Sequence, residues 1–465
     1  MKHYSIIIFL LLNIYFSNPF DGLTLITATN DRNGATTTLI DNDENIINSW
    51  DHEYGISSVS YLNKDSILFT PRKLPGNNNG PNGGLFQKID WDGNIIWEWS
   101  IPVEICSPHH DMAILPNGNI LAICAENKTV EEAENAGFEG ISSPMTLDMI
   151  IEIEPINNNQ AEIVWEWHFW DHLVQNRGPQ YTVTYGDISD YPELLNVNVT
   201  GSGNNQGMVN WNHTNKISYN AHFDQIVISC RHLNEIYVID HSTTIQEAAG
   251  HSGGLQGKGG DILYRWGNPQ NYDRGTAADQ ILNAQHGIDW IPNGYPGEGN
   301  FLLFNNRNQT SPDRSAIIEF ESIADENGFY QIEDGQPFGP MDFVWIYQSD
   351  FFSNIQSGAY RLPNGNTLIT VTNQDRIFEI NYSGEIQWEY SQDIRCARSL
   401  KYSYDYFTNH LNGDMNSDNL LNILDIVIIV QMILGNEEID LNGDMNSDGG
   451  LNVQDIILLL NIITD

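Results

Sequence analysis

The stretches DWDGNIIWEW (residues 90–99) and HHDMAILPNGNILAIC (residues 109–124) decide the fold. Each alternates apolar and polar residues around an Asp-Gly or Asn-Gly turn, the clearest short-range hairpin signal. The first ends in a tryptophan-bearing strand, and the second opens on histidines. Both halves recur along the chain. Tryptophan-bearing ends appear in DNDENIINSW (41–50), AEIVWEW (161–167), DILYRW (261–266), DFVWIY (342–347) and YSGEIQWEY (382–390). The other half returns in QHGIDWIPNGYPGEGNFLLF (285–304) and SGAYRLPNGNTLITV (357–371).

Units of about 40–50 residues built from short strands predict a β-propeller. Six tryptophan-bearing ends predict six blades. Residues 22–50 lack an innermost strand of their own, and CARSLKYSYDYF (396–407) is the segment expected to supply it, joining the two chain ends and removing an open sheet edge. No long amphipathic helices alternate with the strands, which disfavours a parallel α/β fold. Two segments, roughly 126–147 and 171–210, are too long for turns between strands and are expected to form walls or lids over a site.

Composition agrees with an acidic, turn-rich β-protein. The 465 residues carry 20 Lys plus Arg against 61 Asp plus Glu, a formal net charge of -41. So few cations exclude a nucleic-acid partner, which must be bound by displacing phosphate counterions. They equally disfavour an anionic membrane surface. Lys2 and His3 precede an apolar run over 6–16, the pattern of a secretory signal, with cleavage expected between Ser17 and Gly22. No other apolar run reaches 18 residues, so no membrane span is expected in the mature chain, which is expected to be periplasmic or extracellular. In such a compartment the four cysteines admit three disulfide connectivities, with Cys106–Cys124 favoured because they flank one hairpin.

After Asn409 the composition changes: residues 409–465 hold ten acids and no Lys or Arg. LNGDMNSDNLLNILD begins at Leu411 and LNGDMNSDGGLNVQD at Leu441, an offset of 30 residues. Side-chain oxygens fall at loop positions 1, 3, 5, 9 and 12: Asp414, Asn416, Asp418, Asn422 and Asp425, then Asp444, Asn446, Asp448, Asn452 and Asp455. Leu420 and Gly450 offer backbone carbonyls at position 7. Hard oxygens at this spacing suit one Ca²⁺ per loop, two in all, and an apolar helix is expected after each. The duplication resembles a type I dockerin. That resemblance implies a cohesin-like partner, while a cell-surface anchor or a structural tail stays open beside it. Residues 1–22, 23–407 and 408–465 are thus expected to be a signal peptide, a propeller and a calcium-loop domain.

Histidines mark the expected site. His109 and His110 start one inner strand, His213 and Asn215 another, and His286 a third, with Arg231 nearby in sequence. Inner strands of a propeller line its channel, so these residues would converge on the axis. Either His109 or His110 faces it, with His110 favoured. His168 and His172 read as packing in a long segment, and His232, His241 and His251 as surface residues. Arg361, Arg376 and Arg398 read as blade salt bridges by default.

HHDMAILPNGNIL (109–121), WEWHFWDHLVQ (165–175), WNHTN (211–215), DQIVISCRHLNEIYVID (224–240), DILYRWGNP (261–269), QHGIDW (285–290) and SGAYRLPNGNTLI (357–369) occur in an order that resembles the bacterial arylsulfate sulfotransferases. The resemblance covers roughly residues 50–395. It implies an exported six-bladed propeller that moves a sulfuryl group from a phenolic sulfate ester to a phenol through a sulfated histidine, with no nucleotide sulfate donor. It implies His286 as nucleophile, His213, Asn215 and Arg231 as ligands of the sulfuryl oxygens, and His110 or His109 as a further active-site group. Tyr181, Tyr185, Trp170 and Trp211 are candidates to stack the aryl ring. Two other classes remain: a non-catalytic binding propeller, and a hydrolase whose histidines hold a metal.

Overall fold

The computed structural model describes residues 18–28, 35–74, 82–157, 159–199, 210–308, 313–391, 395–407, 413–416, 421–435, 439–446 and 450–464. The expected signal peptide lies almost wholly outside them.

Six four-stranded antiparallel sheets form six blades. Each runs from an inner strand to an outer one. Blade 2 contains Tyr61–Leu62, Leu68–Lys73, Gly84–Ile89 and Ile95–Ser100. Blade 3 contains Ser107–Ile114, Ile120–Lys128, Met145–Asn157 and Gln160–His168. Blade 4 contains Thr214–Asn220, Gln225–Cys230, Glu235–Asp240 and Tyr264–Trp266. Blade 5 contains His286–Trp290, Phe301–Asn305, Ala316–Phe320 and Trp345–Tyr347, and blade 6 contains Gly358–Arg361, Thr367–Val371, Arg376–Ile380 and Ile386–Ser391. Blade 1 is composite. Leu400–Ser403 is its inner strand, hydrogen-bonded to Gly22–Thr27, with Ala35–Ile40 and Ile46–His52 outside. The closure expected from the sequence is therefore present, with one adjustment. Gly22 pairs with Ser403, so the propeller takes in the residue the sequence boundary had left with the leader.

The recurring tryptophans have a specific use. In each blade an outer-strand indole N–H donates to the next blade: Trp50 to Asp90 O, Trp97 to Gln160 O, Trp165 to Thr243 Oγ1, Trp266 to Pro340 O, Trp345 to Tyr382 O and Trp388 to Asn42 O, all at 2.8–3.1 Å. The ring therefore closes at its rim as well as at its hub. Tryptophan suits the task because it covers a large apolar area and carries a single N–H that can reach a carbonyl.

The two long segments form a wall beside blades 3 and 4. Helix Val130–Ala136 is held by a Thr129–Glu132 capping box. Strands Leu173–Gln175, Thr184–Tyr185 and Leu195–Asn196 make a small parallel sheet. Thr182 N donates to Asn135 O at 2.9 Å and Arg177 Nη1 to Gly137 O at 3.0 Å, joining the two segments.

Cys106 and Cys124 are neighbours, as the hairpin implied, but as buried thiols rather than a disulfide, and all four cysteines are free. Burial, with the hydrogen bond between the two, pushes the Cys124 thiol well up. In the tail, helices Ile423–Ile433 and Val453–Thr464 pack together through Ile426, Ile429 and Leu459. No helix among the described residues is long and apolar enough to cross a membrane.

Candidate active site

Three inner strands deliver the histidines, and each is bulged where it does so. The register slips between Pro108 and Met112, between Thr214 and Lys216, and between His286 and Asp289. A bulge re-aims side chains that regular pleating would send to alternate faces. The backbone is correspondingly unusual. His110 and His213 have φ of 60° and 51°, a left-handed conformation that side-chain-bearing residues adopt only under constraint. Gly287, beside His286, has φ of 68°, and a Cβ there would lie 2.9 Å from Gly358 Cα.

Three of the expected residues, His109, His110 and His213, gather around one cavity, and His286, Arg231 and Asn215 are not among the residues lining it. The rings of His110 and His213 are 4.6 Å apart, centroid to centroid. His109 Nδ1 is 2.7 Å from His110 Nδ1, and His109 Nε2 is 3.0 Å from Asp148 Oδ1. These residues line a cavity of about 280 Å³ together with Asn82, Ser107, Asn127, Thr146, Asn210 and others. His110 is therefore the member of the pair that faces His213, with His109 behind it against Asp148. Asn210 Nδ2 donates to His213 Nδ1 at 2.8 Å.

His286 is fully oriented. Its Nδ1 faces two carbonyl oxygens, Asn306 Oδ1 at 2.8 Å and Ala284 O at 3.1 Å, so that nitrogen carries the proton. Nε2 accepts from Gln356 N at 3.2 Å. It is therefore the lone-pair nitrogen. Burial, reinforced by the Arg231 guanidinium, pushes the His286 pKa down to about 3. Burial and the neighbouring rings likewise hold His110 and His213 well below the ordinary value. All three are neutral imidazoles near neutral pH.

The cations differ in their circumstances. Among the described residues the Arg231 side chain has no ion pair, and burial, with Arg307 nearby, lowers its pKa. It is an unneutralised guanidinium beside His286. Arg398 is 2.8 Å from Asp111 Oδ1 and packs against Gly358 in the channel, so the blade salt bridge expected of it is replaced by an axial one. Arg361 with Glu319 and Arg376 with Glu389 do form blade pairs. Lys216 adds a buried contact to Asp111 at 3.3 Å. Asn215 is buried, and its Nδ2 donates to Gln285 O at 2.8 Å, tying the His213 strand to the residue before His286.

Two surface assignments are corrected. His232 stacks on His213 at 4.5 Å and is part of the cluster. His241 is pinned between Asp224 (2.7 Å) and Glu152 (3.0 Å), against Trp165. None of the four expected aryl-stacking residues lines the cavity: Trp211 is buried edge-on against Phe138, Trp170 stacks on Phe138, Tyr181 lies under Arg177, and Tyr185 is exposed. Sequence reading missed Asn306 and Asp148. Neither falls in a motif: Asn306 follows the strand Phe301–Asn305, and Asp148 lies on Met145–Asn157, two strands out from His109.

In the tail, Asp418, Leu420 and Asp448 lie outside the described residues. Of the others, Asp425 Oδ1 accepts from Met415 N and Oδ2 from Asn422 N, both at 2.8 Å. Asp455 repeats this with Met445 N and Asn452 N at 3.0 and 2.8 Å. Asp414 and Asp444 are buried. Asn416, Asn446 and Gly450 complete the described part of each loop. The two loops are joined by Gly413 N to Asn442 O at 2.8 Å and Asn442 Nδ2 to Asp414 O at 2.9 Å.

A family model described as arylsulfotransferase (ASST) matches residues 14–372, beginning earlier and ending earlier than the motifs alone suggested. No curated protein matches the chain. Similar solved structures include a Bacteroides caccae protein of unknown function (11% identity, 82% of this chain, 98% of that one, TM-score 0.43). A Lactobacillus plantarum protein gives 7% identity, 82% and 100% coverage and TM-score 0.42. Virginiamycin B lyase from Staphylococcus aureus gives 12%, 80%, 89% and 0.36. At these scores the likenesses carry no argument about this chain.

Proposed function

Since the chain belongs to the arylsulfotransferase family and is a sulfotransferase acting on phenolic substrates, we propose that it works through a sulfated His286, in two half-reactions. In the first, His286 Nε2 attacks the sulfur of an aryl sulfate. The N–S bond forms as the S–O bond to the phenol breaks. The sulfur must displace the long Gln356 amide contact to reach the lone pair. The departing oxygen takes a proton held by the His110–His109–Asp148 chain. In the second, an acceptor phenol returns a proton to that chain as its oxygen attacks sulfur, and His286 leaves as neutral imidazole. Protons and charge balance over the cycle, with no nucleotide donor.

The single observation that carries this reading is the fixed tautomer of His286: a neutral ring, N–H locked on Asn306 and Ala284, lone pair on Nε2, beside a guanidinium with no ion pair among the described residues. A poorly basic imidazole is a good leaving group, as a transferable sulfuryl requires. Arg231 would hold two sulfuryl oxygens with its planar fork. His213 would contact the third, with Asn215 keeping the two strands in place.

The test is transfer from 4-nitrophenyl sulfate to phenol. Ping-pong kinetics and a sulfate-labelled peptide containing His286 are expected, both lost in His286→Asn. Full turnover by that variant would remove the assigned nucleophile.

The tail's donor set is all oxygen, with buried Asp414 and Asp444, and it fits Ca²⁺. Asp414, Asn416, Asp418, Asn422, Asp425 and the carbonyl of Leu420 would hold one ion. Asp444, Asn446, Asp448, Asn452, Asp455 and the carbonyl of Gly450 would hold the other. The proposal extends to export and to a docking or anchoring tail of dockerin type. Calcium chelation should lower the helical circular dichroism of the full chain and leave that of the chain ending at Phe407 unchanged.

A further inference from the structure

Away from the channel, one group among the described residues gathers ligating atoms as a metal site requires: His172, His251 and Asp261, one atom from each within 4.8 Å of the others. His172 ends the turn Phe169–His172, is wholly buried and stacks on Trp167 at 5.3 Å. Its Nε2 lies 2.9 Å from Ala248 O. A carbonyl only accepts, so Nε2 carries a proton. Nδ1 of a neutral ring then points a lone pair at Asp261 Oδ1, 3.0 Å away. His251 Nδ1 approaches the same oxygen at 2.7 Å. A lone pair and a carboxylate oxygen cannot face each other at this range without a cation between them. The choices are a second proton on a ring with no solvent contact, or a metal ion.

We propose that this is a structural site for a divalent first-row cation, Zn²⁺ by its N/O donors, bound by His172 Nδ1, His251 Nδ1 and Asp261. Ala248 O is the outer partner that fixes the His172 tautomer, an arrangement metal-bound histidines almost always have. Tetrahedral Zn²⁺ with bonds near 2.0–2.2 Å spaces its ligand atoms by about 3.3 Å. The present 2.7 and 3.0 Å must open by a few tenths of an ångström, and the two histidine nitrogens, now within 4.8 Å of each other, must come to the same spacing. His251 can supply that movement: its side chain is 54% exposed and sits in the glycine-rich segment 250–260. Water completes the coordination on that exposed side. The ion would clip the turn that leads into the wall strand Leu173–Gln175 onto blade 4, where Trp167 Nε1 already donates to Gly260 O at 2.7 Å. None of these residues belongs to the channel cluster.

The experiment is Zn²⁺ titration of the full chain in excess Ca²⁺, which keeps the tail loops filled. Wild type and His213→Gln, which disables the channel histidines as a rival site, should each bind one equivalent. His251→Gln should raise Kd at least about tenfold, the lower end of what losing even an outer partner costs. His251→Cys loaded with Co²⁺ should gain a sulfur-to-cobalt charge-transfer band. Unchanged Zn²⁺ affinity in His251→Gln, or no such band in His251→Cys, overturns the site. So does a wild type that binds no Zn²⁺, which would identify the cation as a proton on His172.

Discussion

At the residue scale, one hydrogen bond sets the chemistry. Asn306 accepts from His286 Nδ1 without adding charge, and burial, reinforced by the Arg231 guanidinium, keeps the ring neutral far below pH 6.5. Asn306→Asp would place an anion there and raise the His286 pKa from about 3 towards the ordinary value. With a pKa raised to about 6, its transfer rate at pH 5 relative to pH 8 should fall about tenfold against the same ratio for wild type, because one unit below the pKa only about a tenth of the rings is neutral. An unchanged ratio would mean that His286 does not act as the free base. The proton chain makes a separate prediction. His110→Asn should slow transfer from phenyl sulfate at least about tenfold more than from 4-nitrophenyl sulfate, since proton delivery matters most to the poorer leaving group. Equal losses with both donors would take His110 out of proton transfer.

Buried neutral histidines also tie stability to pH. His286 and His52 both titrate near 3 in the fold. The unfolded chain binds their protons near 6.5, so unfolding takes up protons between those values and stability falls as pH drops through that window. Each such group contributes a slope of about 1.4 kcal/mol per pH unit there. His241, raised to about 9 by Asp224 and Glu152 despite burial, works the other way: its contribution is present below pH 6.5 and lost as pH rises through 9. The wild-type urea midpoint should therefore fall relative to that of His286→Asn between pH 7 and pH 4, and parallel midpoints over that range would remove the buried neutral ring from the pH dependence.

At the element scale, bulges and indoles do the positioning. The inner strands would alternate their side chains past the channel if regular, and the three bulges turn His110, His213 and His286 inward instead. Gly287→Ala would need both a left-handed alanine and movement of Gly358. It should cost about 1–3 kcal/mol in urea unfolding and lower kcat more than KM rises, because it displaces the nucleophile and not the Arg231 anchor. The rim is gentler. Trp388→Phe removes one hydrogen bond, to the half-buried Asn42 O, which should cost about 0.5–1.5 kcal/mol with no effect on transfer.

At the scale of the whole molecule, the ring closes through blade 1. Lys401, on the closing strand, meets Glu379 of blade 6 at 2.8 Å, both side chains wholly buried, and also reaches Asn42 at 2.7 Å. Glu379 in turn accepts from Asn366 Nδ2 at 2.6 Å and from Phe20 N. One carboxylate thus ties both chain ends to the last blade. Lys401→Ala would leave it uncompensated and should cost about 3–5 kcal/mol. A chain stopped at residue 395 should lose the inner strand, expose the Gly22–Thr27 edge and elute as aggregates. A monomer of unchanged melting temperature would show that closure adds nothing.

Blade number, strand order and closure were legible in the sequence because each rests on a local pattern: turns, alternation, and a tryptophan at a fixed place in the repeat. The histidines were legible for the same reason, each opening an inner strand. Asn306, Asp148 and His232 were not, since no local pattern marks a side chain in a turn or an outer strand that reaches a histidine only through the fold. The pairing of Cys106 with Cys124 was right about proximity and not about bonding. Aromatic content alone misplaced Trp211, which packs against Phe138 because an indole in a wall is worth more buried than exposed. Local sequence thus determined which strands exist and which side chains enter the channel. Only the folded ring decided which nitrogen of His286 keeps its proton, because Asn306 and Gln356, 20 and 70 residues away, reach the imidazole nowhere but in the folded molecule.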